Sequence, residues 1–178
     1  NLYSTSAASS TSWLMGPKFN ATSCSRVTYK IGLTTSASTT ASSLDANDLV
    51  QVMVTADCGN TWSALKTYNS STTISNGAGQ SETVDLSAYN GQSIIVAFYA
   101  TEGATASGDD YVYIDDVSIN NKPAVDAGVL SLTAPTTSNT CGSATQSVIV
   151  KLKNYGCNDL TSIPVTVNVT GAVTQTLS

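Results

Sequence analysis

The chain contains no histidine and few charged residues. Of its 178 residues, 11% are Asp, Glu, Lys or Arg, whereas about 25% is usual for a globular protein. Histidine is the commonest general base and the commonest neutral metal ligand, so its absence argues against triad hydrolysis and ordinary catalytic zinc sites. We therefore expect a protein without enzymatic activity.

Basic residues and long apolar runs are also scarce. Seven Lys and Arg residues against twelve Asp and Glu leave a net charge of -5, which argues against a nucleic-acid partner. The sequence has no apolar run near the roughly 18 residues of a membrane helix and no basic, apolar leader. Abundant Ser and Thr are typical of secreted β-proteins, and an exported protein is made with a leader. We therefore expect a processed or truncated piece of a longer secreted or cell-surface polypeptide without a membrane span.

The four cysteines, Cys24, Cys58, Cys141 and Cys157, lack the Cys-x-x-Cys spacing of a zinc site. Disulfides are therefore favoured over a metal, although the sequence leaves all three possible pairings open. Division of the chain into domains favours Cys24 with Cys58 and Cys141 with Cys157. Each loop would then contribute roughly 3–4 kcal/mol in the chain-entropy model.

Short apolar segments separated by turn residues predict an all-β protein. Residues 49–55 and 94–100 are rich in β-branched and aromatic residues, as strands of a packed sheet are. Residues 26–34 alternate between apolar and polar with a period of two. Helical periodicity is absent, so we expect β-sandwich domains.

Residues 55–62, with the spacing Thr-x-Asp-x-Gly-x-Thr-Trp, look like an Asp-box turn between two strands. Asp57, Gly59 and Asn60 are residue types that accept positive φ or bond to their own backbone. In this motif the Asp closes the turn and the Trp packs beneath it. The pattern therefore favours a structural role for Asp57 and Trp62 over ligand binding.

Three segments in order resemble a known family: residues 55–62, residues 84–99 with Val84-Asp-Leu-Ser-Ala-Tyr, and residues 109–119 with Tyr-Ile-Asp-Asp-Val. Together they resemble the cleaved-adhesin and MAM-like jelly-roll modules of large secreted surface proteins of Bacteroidetes-type bacteria. The resemblance implies a jelly-roll sandwich over residues 1–121 and a non-catalytic adhesive or ligand-binding function. The implied partner is a host or matrix protein, a glycan or a neighbouring subunit. The alternatives are an accessory domain of a secreted hydrolase, binding carbohydrate or substrate, and a structural subunit of an extracellular fibre or sheath.

A linker at residues 122–125, marked by Pro123, separates this region from a second set of strands in residues 126–178. Strands are predicted at residues 128–133, 147–154 and 165–170. The run from Val148 to Gly156 is similar to bacterial immunoglobulin-like adhesion domains. An immunoglobulin sandwich needs about seven strands and about 100 residues, so a partial domain is expected.

Four carboxylates cluster in a chain that is otherwise poor in charge: Asp109, Asp110, Asp115 and Asp116. Calcium is the natural counter-ion for such oxygens outside the cell, and the resemblance places a structural Ca²⁺ beside Asp115, then Asp116, with Asp109 or Asp110 available. Adjacent Asp115 and Asp116 should point to opposite faces of a strand, which puts one of them toward the sheet interior or its edge and prevents both from flanking one glycosidic bond. The alternative is that all four cap turns and solvate a sheet edge.

Aromatic residues in the predicted strands provide a further candidate site. Trp13, Tyr68, Tyr89 and Tyr99 could stack on sugar rings. In a small sandwich such residues more often pack in the core or along an edge. Packing is therefore the favoured interpretation.

Overall fold

The computed structural model describes residues 11–35, 39–74, 79–103, 110–135, 147–170 and 175–177. Their contacts divide the chain into two compact units, Asn1–Asn121 and Lys122–Ser178, at the boundary that the sequence suggests. Regular structure is all-β, as expected. No described helix is long and apolar enough to cross a membrane.

The described residues of the first unit form seven strands and one 3-10 turn at Ser87–Tyr89. In chain order the strands are β1 (Thr11–Asn20), β2 (Ser25–Thr35), β3 (Leu49–Thr55), β4 (Ser63–Tyr68), β5 (Gln80–Asp85), β6 (Ser93–Thr101) and β7 (Asp110–Asn121). Four of them form sheet A in the order β1-β6-β3-β4, and three form sheet B in the order β5-β2-β7. All pairs are antiparallel, and the strands predicted at residues 26–34, 49–55 and 94–100 are confirmed.

The core of the first unit lies between the two sheets. Alternate residues of the central strands are almost fully buried, including Ile31 and Leu33 on β2 and Val50 and Val52 on β3. This is the period-two pattern of a strand with one face against a hydrophobic layer.

An aromatic contact and a hydroxyl pair join the two sheets through this core. The Tyr29 ring on β2 meets Phe98 on β6 edge to face, with centroids 5.0 Å apart. Its hydroxyl lies 2.5 Å from the Tyr68 hydroxyl on β4. Burial raises the pKa of Tyr29 to about 12 and, together with the Tyr29 hydrogen bond, raises the pKa of Tyr68. The two phenols therefore satisfy each other in a layer that excludes water.

The second unit contains four described strands in two separate antiparallel pairs. These are β8 (Ala127–Ala134) with β9 (Ile149–Asn154) and β10 (Val167–Val169) with β11 (Gln175–Leu177). The first three occupy the positions that the sequence predicts. None of the described residues in this unit is buried.

A tight turn anchors the end of β9 to the start of the second unit. The Tyr155 N–H donates to the Asp126 carbonyl (2.8 Å) and the Cys157 N–H to the Pro123 carbonyl (3.0 Å). A Cβ on Gly156 would lie 2.8 Å from the Asp126 nitrogen. Only glycine therefore permits this close approach of the backbone.

The disulfide prediction is wrong for Cys58. Cys58 is a free, exposed thiol at the tip of the β3–β4 turn, whereas Cys24 and Cys157 are disulfide-bonded. The other proposed pair includes Cys141, which lies outside the described residues. Membership of one domain does not bring two cysteines together, because pairing requires Cα atoms within about 7 Å.

Candidate functional site

Three aromatic side chains meet on the outer face of sheet A. The Trp13 ring lies 5.0 Å from Trp62 and 4.6 Å from Tyr99, centroid to centroid, with both pairs of planes tilted by 48°. Trp13 is 42% exposed, and Trp62 and Tyr99 are half-buried. We call Trp13, Trp62 and Tyr99 the aromatic platform.

Strand register places two of the rings side by side and aligns polar residues with them. Trp13 on β1 opposes Tyr99 on β6, Tyr99 opposes Gln51 on β3, and Gln51 opposes Thr67 on β4. The Gln51 side-chain amide donates to the Thr67 hydroxyl (3.0 Å). Neighbouring Phe98 is buried in the core, so alternation requires this cross-strand row to face outward.

The third ring is positioned by the β3–β4 turn, whose centre is Asp57. One Asp57 oxygen accepts from the Thr55 hydroxyl (2.7 Å) and the Thr61 N–H (2.9 Å), and the other accepts from the Thr61 hydroxyl (2.6 Å). The hydrogen bonds from Thr55, then those from Thr61, lower the pKa of Asp57 to about 2. The Asp-box interpretation of this turn is consistent with these bonds, since the carboxylate closes the loop immediately before Trp62.

The backbone of the turn adopts two successive left-handed conformations, at Cys58 (φ 62°) and Gly59 (φ 95°). A Cβ on Gly59 would lie 3.8 Å from the Trp62 ring, so the loop backbone borders the indole. The Lys18 ammonium lies 3.6 Å from the Cys58 sulfur. Contacts with the turn and with Trp13 therefore both restrain Trp62.

A second feature is an open apolar edge between β1 and β7. Two clefts of about 540 and 430 Å³ run along it, and Leu14 and Phe98 line both. Leu14 is 57% exposed, although strand alternation directs it toward the space between the sheets. Side chains of β7, among them Ile114 and Ile119, line the same clefts, so Leu14 lies at an open side of the space between the two sheets.

The predicted acidic residues Asp115 and Asp116 lie on β7 at a bulge. Lys30 opposes Asp115 and Thr28 opposes Ser118, so one extra residue is accommodated between these pairs. Asp116 has φ 50°, a left-handed conformation that Asp tolerates.

Both carboxylates are exposed and β7 is an edge strand of sheet B, so of the two predicted directions, interior or edge, neither carboxylate takes the interior one. Ile114 before the bulge and Ile119 after it both pack against the core, which shows that the bulge reverses the alternation. Asp116 is ion-paired with Lys30 at 2.7 Å, and the Asp116 N–H donates to Asp115 (2.7 Å). The extra residue thus keeps a carboxylate out of the core.

For the other two predicted calcium ligands, no side-chain position is described. Asp109 lies outside the described residues, and only the backbone of Asp110, at the start of β7, is described. Within the described ranges, no three His, Cys, Asp or Glu side chains gather as a metal-binding group. Calcium binding beside Asp115 stays a prediction.

The remaining sequence-predicted aromatics lie elsewhere. Tyr68 is buried and bonded to Tyr29, and Tyr89 in the 3-10 turn packs against the core. Trp13 and Tyr99 do lie on a surface, in direct contact. Sequence reasoning assigned Trp62 only a structural role and missed its part in the cluster. Its position directly before β4, at the end of the motif, was the available signal.

Comparisons with known proteins add no assignment: no model of a protein family matches the chain, and a search of curated proteins finds no match.

Proposed function

We propose that this protein is a non-catalytic adhesive or ligand-binding module of a larger secreted or cell-surface bacterial protein. The observation that carries the proposal is the aromatic platform. Exposed aromatic residues in contact with one another are enriched at binding sites, because each ring offers a large apolar surface with little side-chain entropy to lose.

Preorganisation supports the assignment of the platform as the binding face. Asp57 holds the loop before Trp62 through three hydrogen bonds, and strand pairing holds Trp13 beside Tyr99. A ligand that binds rings already in place loses less entropy than one that must order them. The disulfide-bonded state of Cys24 and Cys157 fits an oxidising, extracytoplasmic compartment.

The test is binding by the intact chain in two assays, a glycan array and a pull-down with purified matrix proteins. We expect a ligand in at least one assay and loss of that binding in Trp13→Ala. Tyr155→Ala in the second unit is the matched control, because Tyr155 is also 42% exposed. Absence of any ligand, or binding that survives Trp13→Ala, would contradict the proposal.

A second candidate function, a structural subunit of an extracellular fibre or sheath, is favoured by the open edge. All described exposed large apolar residues of the first unit lie on β1 or β7: Trp13, Leu14, Met15, Tyr113 and Val117. Edge strands with exposed apolar side chains favour association with another chain.

Light scattering over a range of protein concentrations tests assembly. We expect association that Leu14→Lys suppresses, because a buried ammonium in the cleft would be costly. Thr83→Lys on the exposed face of β5, away from the cleft, adds the same charge as a control. A monomer at all concentrations would rule out the fibre subunit and leave the binding module unaffected.

A further inference from the structure

We propose that the aromatic platform binds a neutral oligosaccharide, with one pyranose ring stacked on Trp13, the next sugar over Tyr99, and hydroxyls bonded by Gln51 and Thr67 on the far side of Tyr99. The inference rests on the proposed function and names the ligand class for the same site. It draws on the size of the exposed patch, the chemistry of its neighbours and the charges around it.

The size of the platform fits a small ligand. A fully buried aromatic side chain covers about 150–250 Å², and the three rings of the platform are only partly exposed. Together they offer at most a few hundred Å², well below the roughly 800 Å² that each partner contributes to a standard protein interface. A short stretch of sugar residues is of the right size, whereas a globular partner is not.

The neighbouring polar groups match a sugar edge. Gln51 lies beside Tyr99 in the cross-strand row and donates one N–H to Thr67 at 3.0 Å. A primary amide has two N–H donors and a carbonyl acceptor, so this bond orients the amide and uses only one of its donors. A flat apolar ring with an oriented amide and hydroxyl beside it is what a pyranose requires, since its C–H face is apolar and its rim carries hydroxyls. Ligand sites in general combine an apolar surface with a few placed polar groups.

The cross-strand row beside the platform favours a neutral sugar, and the Lys18 ammonium, a cation beside the adjoining turn, lies 3.6 Å from the Cys58 sulfur. No member of the row from Trp13 to Thr67 is charged, and the Asp57 carboxylate in the adjoining turn is already bonded by Thr55 and Thr61. The protein carries a net charge of -5, which repels uronic and sialic acids over the range of a Debye length. An acidic glycan therefore has no evident counter-charge in this row.

Affinity electrophoresis and titration calorimetry of the full chain test the inference. The probes are neutral polysaccharides (hydroxyethylcellulose, xylan, galactomannan and laminarin) and two acidic ones (alginate and polygalacturonate). We expect binding to at least one neutral polymer, about tenfold or more weakened by Trp13→Ala, because truncation of a central aromatic costs more than about 1 kcal/mol and 1.4 kcal/mol is tenfold.

Two further variants keep the test decisive. Gln51→Ala removes the amide from the surface without touching the core and should weaken binding of the same polymer several-fold, even if Trp13→Ala is poorly folded. Tyr155→Ala should leave the affinity unchanged, and thermal melts check the fold of each variant.

The outcomes separate this inference from the proposed function. No binding to any neutral polymer, a preference for the acidic polymers, or binding insensitive to both Trp13→Ala and Gln51→Ala would overturn the carbohydrate assignment. A matrix protein bound in a Trp13-dependent manner, with no polysaccharide bound, would overturn it as well while leaving the ligand-binding module intact.

Discussion

The two units are built from similar strands but bury their apolar side chains to different extents. In the first unit, Ile94 and Val96 on β6 are buried, whereas in the second unit Val129 on β8 is 60% exposed and Leu132 on the same strand is exposed as well. Both strands consist mostly of apolar residues. The difference is the facing layer: β6 lies between β1 and β3 and beneath sheet B, while β8 has a single described strand partner.

This contrast shows that a strand-like pattern specifies pairing but not burial. A two-stranded sheet cannot shield either of its faces, and isolated hairpins are marginally stable in water. The proposed binding face lies in the first unit for the same reason, because the packed core beneath sheet A holds the aromatic rings on the outer face of that sheet.

The largest effect should come from leucine truncation in the first unit. Leu33 on β2 is fully buried, so Leu33→Ala should lower the free energy of unfolding by about 2–5 kcal/mol through lost burial and a residual cavity. Leu132→Ala is the matched substitution at an exposed site in the second unit and should change it by less than about 0.5 kcal/mol. Urea denaturation followed by far-ultraviolet circular dichroism measures both, because Trp13 and Trp62, the two tryptophans of the chain, lie in the first unit and their fluorescence would miss unfolding of the second. Equal losses at the two sites would abolish the distinction between the units.

Alkaline pH should destabilise the first unit. Burial raises the pKa of Tyr29 from 10.0 to about 12 in the folded protein, so the unfolded chain releases its proton first. The stability from the neutral phenol is complete below pH 10 and is lost as the pH rises from 10 toward 12. Melting temperatures of the protein and of Tyr29→Phe should therefore converge or cross in this window. A constant difference between them across it would count against a buried phenol pair.

Acid should destabilise the turn that holds Trp62. The pKa of Asp57 falls from 3.8 to about 2 because the hydroxyl of Thr55, followed by Thr61, bonds the carboxylate. The contribution of the ionised Asp57 carboxylate to the stability of the fold is present above pH 3.8 and is lost as the pH falls through 2. Asp57→Asn should lower the melting temperature at pH 7, and the deficit should shrink between pH 4 and pH 2.

Asn154 in the second unit provides a control for the Asp57 turn, because its side chain also bonds a turn but does not titrate. The Asn154 side chain accepts from the Gly156 N–H (2.9 Å) and donates to the Asn158 carbonyl (2.7 Å). Asn154→Ala should therefore cause a deficit in melting temperature that does not change between pH 4 and pH 2. The same pH dependence in both variants would show that acid acts on something other than the Asp57 carboxylate.

Calcium should have the smallest effect. If the ion binds beside Asp115, millimolar calcium raises the melting temperature because it binds the native state alone, and chelator reverses the rise. Asp115→Asn should reduce the rise, and Asp126→Asn in the second unit should not. The Lys30–Asp116 ion pair already neutralises one carboxylate, so we expect a shift of a few degrees at most. Identical melting curves with calcium and with chelator would leave a solvated acidic edge as the better description.

Much of the secondary structure could be predicted from the sequence. Strand β3 spans the predicted residues, and β2 and β6 each extend one residue beyond the prediction at both ends. These strands could be predicted because alternation and turn residues are local signals. The bulge at Asp116 could not be predicted, since it becomes necessary only when β7 must place both Ile114 and Ile119 against the same core.

The candidate site was predictable only in part. Trp13 and Tyr99 were recognised as aromatic residues on strands, but the contact between them depends on the register of β1 with β6. The pairing of cysteines failed for the same reason, because chain order does not determine which side chains meet. The position of Trp62 depends on a turn whose hydrogen bonds reach from Thr55 to Thr61.

The all-β class, strands β2, β3 and β6, the Asp57 turn and the charge-poor surface follow from composition or from residues a few positions apart. Tertiary packing sets which face is buried, where β7 bulges, that Cys58 is free and that three distant aromatic residues form one platform. Those outcomes depend on which strands become neighbours. Strand neighbours are set by the free energy of packing two sheets together, to which every strand of the core contributes.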